Sequence, residues 1–215
     1  EPLSATSSTW RTVDRASVGY CTIATCWVSC DSRRTKTIVV DGKPIEARAV
    51  LIATGSDYNK IGVPGEDEYY GRGVHYCATC DGAFYRDKKL VVVGGGNSAV
   101  QEAIFLTRFT SHIDLLVRSK LRASEVLQHE LDELVAQGKI TVHLHTTTDE
   151  IIASDGKNVD LVRGTTDGQP AEFVCDGVFI FVGLLPNTGF LADTGVELDE
   201  QGFVKSDENL QTTVP

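Results

Sequence analysis

The segment KLVVVGGGNSAVQEAIFL, residues 89–106, limits the possible folds more than any other part of the sequence. A short β-branched strand ends there in glycine, and Val100, Ala103 and Leu106 then recur at the spacing of one helix face. A second apolar strand (HIDLLV), a second helix closed by Gly138 and a third strand (ITVHLHT) follow. Strands and helices that alternate in this order predict an α/β fold with a doubly wound parallel sheet.

Further β structure is predicted on both sides of this unit. The stretches NVDLVRG and EFVCDGVFIFVG indicate an antiparallel flap followed by a strand that returns to the sheet. Upstream, TKTIVVDGKPIEARAVLIATGS predicts a hairpin that turns at Asp41 and Gly42 and feeds a buried strand ending at Gly55. Residues 1–36 are irregular and rich in Ser and Thr, and we assign them no element.

The glycine loop between the first strand and the first helix predicts a dinucleotide site. Gly94, Gly96 and Ala99 form a G-x-G-x-x-A pattern, with Asn97 and Ser98 between the last two. In such a Rossmann-like unit the first glycine permits the tight turn, and the second lets the backbone approach a pyrophosphate. The alanine lets the helix pack on the strand. Free N–H groups at the helix start would bind the anion. A glycine turn without function is the alternative, but the strand-loop-helix context favours the nucleotide.

The end of the second strand indicates which nucleotide is bound. An NAD site usually carries Asp or Glu there for the ribose hydroxyls. This chain instead reads LLVRSKLRAS, which places Arg118, Lys120 and Arg122 at that point. Cations here, on a chain with a formal net charge of −10, favour a 2′-phosphate and therefore NADPH. A solvated basic patch is the alternative interpretation.

A C-x-x-C pair, Cys77 and Cys80, is followed directly by Asp81 and precedes the glycine loop. Two cysteines at this spacing can close a small reversible disulfide, and the aspartate could shuttle a proton. Two buried structural cysteines are one alternative, and half of a zinc site is another. The further zinc ligands would come from Cys21, Cys26, Cys30 and His75. Cys175, within an apolar run, is expected to belong to the core.

Composition excludes several classes of function. The net charge of −10 would repel a phosphate backbone, so nucleic-acid binding is disfavoured. No apolar run approaches the ~20 residues that span a bilayer, and EPLSATSSTW does not have the pattern of a secretory signal, so we expect neither membrane insertion nor export. Six cysteines in 215 residues are too few for a small disulfide scaffold. Because the sequence contains no methionine, we expect a processed or excised piece of a longer protein.

Several stretches together resemble bacterial-type low-molecular-weight thioredoxin reductase, a pyridine nucleotide-disulfide oxidoreductase. They are PGEDEYYGRGVHYCATCDGAFY, VVVGGGNSAVQEAIFLT, LRAS, GLLPNT and VELDEQGFVKSDENLQTTVP. The similarity runs from about residue 37 to residue 215. It implies a flavoenzyme that transfers a hydride from NADPH to FAD and then reduces a redox-active disulfide, which reduces thioredoxin. It also implies a cytoplasmic homodimer.

The resemblance assigns roles to the candidate residues. It implies that Cys80, nearer the flavin, takes electrons from it, that Cys77 attacks the disulfide of thioredoxin, and that Asp81 protonates the leaving thiol. The residues implied for the NADPH pyrophosphate are Gly94, Gly96 and Ala99, and those for its 2′-phosphate are Arg118 and Arg122. The residues that match a segment lining the FAD site are Ala53, Thr54 and Gly55.

The sequence departs from the family at two places. The family's basic motif begins His-Arg-Arg, whereas Leu116, Val117 and Arg118 occupy those positions here. The family's own flavin loop (G-x-G-x-x-G) and its later Gly-Asp motif are missing from the sequence. We therefore expect a partial FAD-domain segment at 1–62 (1–36 unassigned), an NADPH-binding domain with the C-x-x-C motif at 63–190, and a return segment at 191–215.

Three alternatives stay open from the sequence. One is a flavin-free NADPH-binding module without turnover. Another is a metal-binding protein that uses the upstream cysteines together with the C-x-x-C pair. The third is a reductase of the same type that serves a peroxidase instead of thioredoxin.

Overall fold

The computed structural model describes residues 28–30, 36–40, 43–47 and 50–214. The chain forms two compact units, one of Glu1–Ile52, Phe190–Glu197 and Lys205–Pro215, the other of Ala53–Gly189 and Leu198–Val204. The domain limits drawn from the sequence stay a prediction.

The elements follow one another in a regular order. The strands are β1 (Val28–Cys30), β2 (Lys36–Val40), β3 (Lys43–Ala47), β4 (Ser56–Tyr58), β5 (Val74–His75), β6 (Lys89–Val93), β7 (His112–Leu116), β8 (Ile140–His143), β9 (Thr146–Ile152), β10 (Leu161–Thr166), β11 (Gln169–Val174), β12 (Gly177–Ile180) and β13 (Leu184–Pro186). The helices are α1 (Ala78–Asp81), α2 (Asn97–Leu106) and α3 (Glu125–Ala136), with 3₁₀ helices at Gly82–Tyr85 and Gly189–Leu191.

A five-stranded parallel sheet forms the centre of the larger unit, in the order β5-β12-β6-β7-β8. Alternate side chains of β6 face opposite layers, as the two-residue period of a strand requires. Leu90 and Val92 pack with α2 and α3 on one face, whereas Val91 and Val93 pack with the strands β9–β11 on the other. Both faces are buried, which explains why this strand is an unbroken apolar run.

The predicted helices and flap are present. Ala99, Val100, Ala103 and Leu106 form the buried face of α2, and Leu131 is the fully buried residue of α3. β9, β10 and β11 form the antiparallel flap, and β12 returns to the centre of the sheet. The α/β fold with a Rossmann-like parallel sheet, predicted from the sequence, is confirmed.

The described residues upstream of β4 are partly as predicted. β2 and β3 form an antiparallel hairpin in which Val40 pairs with Lys43, and β1 adds a third strand. The buried strand expected to end at Gly55 is wrong: residues 50–55 form no strand, and Leu51 is 83% exposed. An apolar run becomes a buried strand only where neighbours pair with it and cover it. Among the described residues no strand pairs with 50–55.

Candidate functional site

Cys77 and Cys80 are joined by a disulfide at the start of α1. Cys77 is the N-cap residue of this short helix, and its Sγ accepts a hydrogen bond from the backbone N–H of Cys80 at 3.2 Å. Cys77 is half-buried and Cys80 is exposed. Exposure alone therefore does not assign the attacking role to Cys77. The structure thus brings together the two cysteines that the sequence singles out.

Close packing fixes the turn that carries the disulfide. Ala78 is buried in the core beneath α2. A Cβ at Gly82 would lie 2.7 Å from Cδ2 of Leu106, so only glycine lets the turn approach α2 so closely. The ring of Tyr85 lies over Gly177 of β12, where a Cβ would come within 2.6 Å of the ring. The disulfide is therefore attached to the rigid core of the unit.

A buried carboxylate fixes the chain that leads into the disulfide. Glu66 accepts hydrogen bonds from the backbone N–H groups of Ile61 and Gly62 and from the Tyr76 hydroxyl, the last at 2.8 Å. Burial and this contact with Glu66 raise the pKa of Tyr76. Tyr76 therefore stays a neutral donor, and it is the residue directly before Cys77.

Asp81 is in contact with a histidine that the sequence suggested only as a zinc ligand. His75 Nδ1 lies 3.1 Å from Asp81 Oδ2, and His75 Nε2 lies 2.7 Å from the Tyr85 hydroxyl. Burial, followed by the charge of Asp81, raises the pKa of Tyr85 to about 12, so the phenol keeps its proton at neutral pH. The pattern V-H-Y-C contains no signal for these contacts, because they depend on how α1 and the 3₁₀ helix fold back on β5.

The glycine loop has the geometry of an anion cradle. Gly94 has φ +140°, and a Cβ there would collide with the Phe181 carbonyl and with Cβ of Ala99. Gly96 is the N-cap of α2, no side chain caps the helix there, and a Cβ at Gly96 would meet no atom within 4 Å. The N–H groups of the first turn are therefore open to a ligand, as a phosphate site requires.

An open cleft of about 780 Å³ lies over this loop, at the carboxyl ends of β6 and β7. The predicted residues that line it are Gly94, Gly96, Asn97, Ser98, Arg118, Lys120 and Arg122. Ala99 is buried under the loop, as its packing role requires. The backbone N–H of Arg122 donates to the Gly95 carbonyl at 2.7 Å, which ties the basic loop to the glycine loop. The lining residues that the sequence did not indicate include Asn59, Lys60 and residues 146–149.

The segment that resembles a flavin-lining stretch, residues 53–55, is not among those lining the cleft. Thr54 Oγ1 donates to the Asn187 carbonyl at 2.7 Å, and Asn187 Nδ2 donates back to the Thr54 carbonyl at 3.2 Å. Ala53 and Gly55 are exposed. Among the described helices only α2 begins in a glycine-rich loop. The described residues thus provide one dinucleotide cradle, and residues 53–55 do not by themselves make up a flavin site.

Cys175 is a buried free cysteine in the turn between β11 and β12, so its predicted place in the core is confirmed. Burial raises the pKa of its thiol to about 12, which leaves it protonated and unreactive. No group of three or more His, Cys, Asp or Glu side chains in the described part of the chain is placed to hold a metal ion. Cys21 and Cys26 lie outside the described residues. None of the described helices is long and apolar enough to cross a bilayer.

The pairing of a nucleotide cradle with a disulfide defines a class of redox protein, and the chain belongs to it. Residues 9–215 match the sequence model of the pyridine nucleotide-disulphide oxidoreductase family, and the chain is a member of that family. Its relatives narrow the class. A thioredoxin reductase of Listeria innocua is 43% identical over 188 residues, covering 86% of this chain and 57% of that protein. One of Bacillus subtilis is 44% identical over 187 residues, covering 86% and 58%.

The solved structures agree with the sequence relatives. Thioredoxin reductase of Lactococcus lactis matches with a TM-score of 0.73 at 36% identity, over 88% of this chain and 61% of that chain. The Streptococcus pyogenes enzyme matches with a TM-score of 0.71 at 38% identity, again over 88% and 61%. The resemblance read from the motifs is confirmed. The chain spans less than two thirds of the length of these relatives.

Proposed function

We propose that this chain supplies the nucleotide-binding and disulfide-bearing part of an NADPH-dependent thioredoxin-disulfide reductase. The observation that carries the proposal is the Cys77–Cys80 disulfide, built into the same compact unit as the uncapped glycine cradle of α2. NADPH would lie in the cleft, with its pyrophosphate on the N–H groups after Gly96. Its 2′-phosphate would lie on Arg118 and Arg122, whose side chains make no ion pair with any described residue.

The chain's own groups then perform a balanced exchange. Reduction of the disulfide adds two electrons and two protons and leaves Cys77 and Cys80 as thiols. Cys77 passes its proton to the Asp81 carboxylate and, as the thiolate, attacks one sulfur of the partner disulfide, and the S–S bond breaks as the leaving sulfur takes that proton from Asp81. Cys80 then loses its proton and attacks the mixed disulfide. The second partner sulfur leaves with that proton, the reduced partner is released, and the Cys77–Cys80 bond re-forms. Bound FAD would serve as the electron carrier between NADPH and this disulfide, as the resemblance implies.

An exposed aromatic side chain beside the disulfide supports a protein as the substrate. Phe84 lies on the 3₁₀ helix that follows Asp81 and is 82% exposed. A large apolar ring in water beside a reactive pair offers contact area to a partner that docks there. Thioredoxin is the partner that the relatives indicate. A peroxidase-type partner would use the same disulfide and is separated from thioredoxin only by assay.

The remaining expectations, a cytoplasmic homodimer that uses FAD, rest on the resemblance to thioredoxin reductases. Light scattering of the purified chain would measure the oligomeric state. The second candidate function is a flavin-free NADPH-binding module. It is favoured by one observation, namely that the described residues provide a single dinucleotide cradle.

Two measurements on the purified chain test the proposal. Alkylation and peptide mass mapping, before and after dithiothreitol, should find the Cys77–Cys80 disulfide and then two labelled thiols. The reduced, desalted chain, mixed with oxidised thioredoxin, should transfer its electron pair and regain the disulfide. A chain that resists oxidation, binds zinc stoichiometrically or transfers no electrons would contradict the redox assignment. The visible absorbance of the purified chain separates the two candidates, since bound flavin absorbs and a flavin-free module does not.

A further inference from the structure

We propose that His75 is a positioning residue for Asp81, and that Tyr85 sets the tautomer in which His75 acts. The inference deepens the proposed function, because it rests on Asp81 as the group that protonates the leaving sulfur. Neither His75 nor Tyr85 is a residue to which the sequence motifs assign a role in the reaction.

The geometry provides a chain of three polar groups that ends at Asp81. His75 lies at the end of β5 and is only 8% exposed. Its ring stacks on Phe179 at a centroid distance of 5.1 Å and meets the Tyr85 ring edge-on at 5.4 Å. Both aromatic neighbours belong to the core packing, so the imidazole has little freedom to turn. Its Nδ1 is thereby held 3.1 Å from Asp81 Oδ2.

The proton on the imidazole follows from its two neighbours. An ionised carboxylate only accepts hydrogen bonds, so the nitrogen facing Asp81 must carry a hydrogen. In neutral imidazole the other nitrogen is then an acceptor. The Tyr85 phenol, which keeps its proton, is 2.7 Å from that nitrogen and donates to it. Of the two tautomers of neutral imidazole, the pair of contacts therefore selects the one with hydrogen on Nδ1.

Few titratable groups surround the series Tyr85–His75–Asp81, and they lie on separate elements. Asp81 faces His75 from α1, and Tyr85 faces it from the 3₁₀ helix. Asp176, before β12, acts on Tyr85 through its charge, whereas the nearby Cys175 thiol is protonated and carries none. Asp176 is itself occupied by Lys88, at 3.1 Å, and by the backbone N–H of Lys89. Among the described residues, His75 is thus the side chain that can orient the Asp81 carboxylate.

The functional consequence concerns which carboxylate oxygen carries the proton. With Oδ2 directed at His75, Oδ1 makes no hydrogen bond to any described residue and is free to take the proton of the attacking thiol and deliver it to the leaving sulfur. Without His75 the carboxylate would rotate about its single bonds, and the productive orientation would be populated only part of the time. Loss of His75 should therefore slow the step without abolishing it.

The first experiment reads the tautomer directly and needs neither flavin nor turnover. Long-range proton–nitrogen NMR of the oxidised chain at pH 8 should show a pyrrole-type Nδ1 and a pyridine-type Nε2 for His75. Tyr85→Phe should lose this preference and give a mixture of tautomers. A wild-type chain with hydrogen mainly on Nε2 would overturn the proposal, whatever the chain's activity proves to be.

The second experiment measures the rate at which the dithiothreitol-reduced, desalted chain reduces bis(2-hydroxyethyl) disulfide, a small probe whose leaving thiol needs a proton. The Cys77→Ser chain provides the blank for the other thiols. Asp81→Asn should slow exchange about 100-fold, the range of a lost general acid. His75→Phe, which keeps the aromatic packing, should slow it roughly tenfold, since it loses orientation only. His75→Asn, whose amide N–H can replace Nδ1–H, should restore most of the rate.

Two comparisons separate positioning from a structural role. In an Asp81→Asn background His75→Phe should cause no further loss, because residues that act through one group are not additive. His129→Asn, on the exposed side of α3, serves as the control and should match the wild type. The proposal fails if the His75→Phe chain reduces the probe at the wild-type rate. It also fails if His75→Phe slows the Asp81→Asn chain by the same factor as it slows the wild-type chain. If the wild-type chain reduces the probe but not thioredoxin, the partner assignment fails and the role of His75 stands.

Discussion

We expect two arginines that line the cleft to determine the choice between NADPH and NADH. Arg118 and Arg122 line the cleft beside the glycine loop, at the point where an NAD site would present an acid. Replacing both with alanine should weaken NADPH binding about 100-fold, since each charge-assisted hydrogen bond contributes about 1.5 kcal/mol or more. NADH binding should change little. Isothermal titration with both nucleotides measures the difference.

Arg163 provides the matched control for this prediction. It is an exposed arginine on the flap, paired with Glu150 and Glu172 at 3.1 and 2.9 Å. Arg163→Ala removes one arginine charge, against two in the double variant, without touching the cleft, so NADPH binding should be unchanged. An equal loss of NADPH and NADH binding in the double variant would show that the arginines do not contact the 2′-phosphate.

At the residue scale the sequence predicts those site residues that belong to short motifs. There are three such motifs: the glycine loop, the arginines and the cysteine pair. The residues of each motif lie within a few positions of one another, so their spacing alone indicates the chemistry. The sequence indicates His75 only as a zinc ligand, since its partners lie six and ten residues later and meet it only after the turn has packed under α2. Asn59 and Thr146 line the cleft from distant segments, and no local pattern brings them there.

The strand-to-helix element offers a second prediction, because its two glycines have different tasks. Gly94→Ala should destabilise the unit by about 3 kcal/mol, since its Cβ would enter occupied space at a backbone conformation that favours glycine. At Gly96 there is room for a Cβ and φ is −90°, so Gly96→Ala should leave the free energy of unfolding unchanged. That Cβ would instead stand where the pyrophosphate approaches, and NADPH binding should weaken.

Thermal unfolding combined with nucleotide titration tests the glycine pair. The expected pattern is a lowered melting temperature for Gly94→Ala alone, and weakened binding with unchanged melting for Gly96→Ala. A Gly96→Ala chain that binds NADPH as tightly as the wild type would place the pyrophosphate elsewhere.

Strand β7 of the five-stranded sheet carries a buried acid that should make the fold acid-sensitive. Burial would raise the pKa of Asp114, but hydrogen bonds from Lys89 and His143, each 2.8 Å away, outweigh it and hold the pKa below its usual value. Because the folded-state pKa is depressed, the contribution to stability is present above the unfolded-state pKa of about 4 and is lost as pH falls below it.

Urea unfolding at a series of pH values measures this contribution. The wild type should lose stability between about pH 5 and pH 3. Asp114→Asn should be less stable than the wild type at pH 7 and should show a shallower loss in acid. Asp132→Asn, on α3 and outside this cluster, is the control and should follow the wild-type curve. If the free energy of unfolding falls with pH in parallel for Asp114→Asn and the wild type, Asp114 is not the cause of the acid sensitivity.

At the element scale the sequence predicts elements that are set by local period. β6, α2, β7, α3 and β8 all appear, because β-branched runs, helical spacing and glycine stops act within a few residues. Residues 50–55 show the limit. The same apolar signal yields no strand there, since strand formation depends on neighbours that local sequence does not specify. The pairing of β4 with β13, more than a hundred residues apart, is likewise beyond any local signal.

For the molecule as a whole, the chain should bind NADPH without turning it over. The described residues contain one dinucleotide cradle, and the chain spans 57% of the length of the Listeria innocua relative. Added thioredoxin should therefore cause no NADPH oxidation by the purified chain in the absence of bound FAD. Absorbance at the nicotinamide band follows this directly. Steady turnover by flavin-free chain would mean that electrons reach the disulfide by another path.

The central claim is that Cys77 and Cys80 form a redox pair in which Cys77 attacks the partner's disulfide. The most direct test is intact-mass analysis of the reduced Cys80→Ser chain after mixing with oxidised thioredoxin. The claim predicts a one-to-one mixed disulfide through Cys77 when N-ethylmaleimide caps the thiol freed on the partner, because the Cys80 thiol is gone and the capped thiol cannot reverse the step. The Cys77→Ser chain, treated in the same way, should form no adduct. An adduct through Cys80 in the Cys77→Ser chain, or no adduct in the Cys80→Ser chain, would contradict the claim.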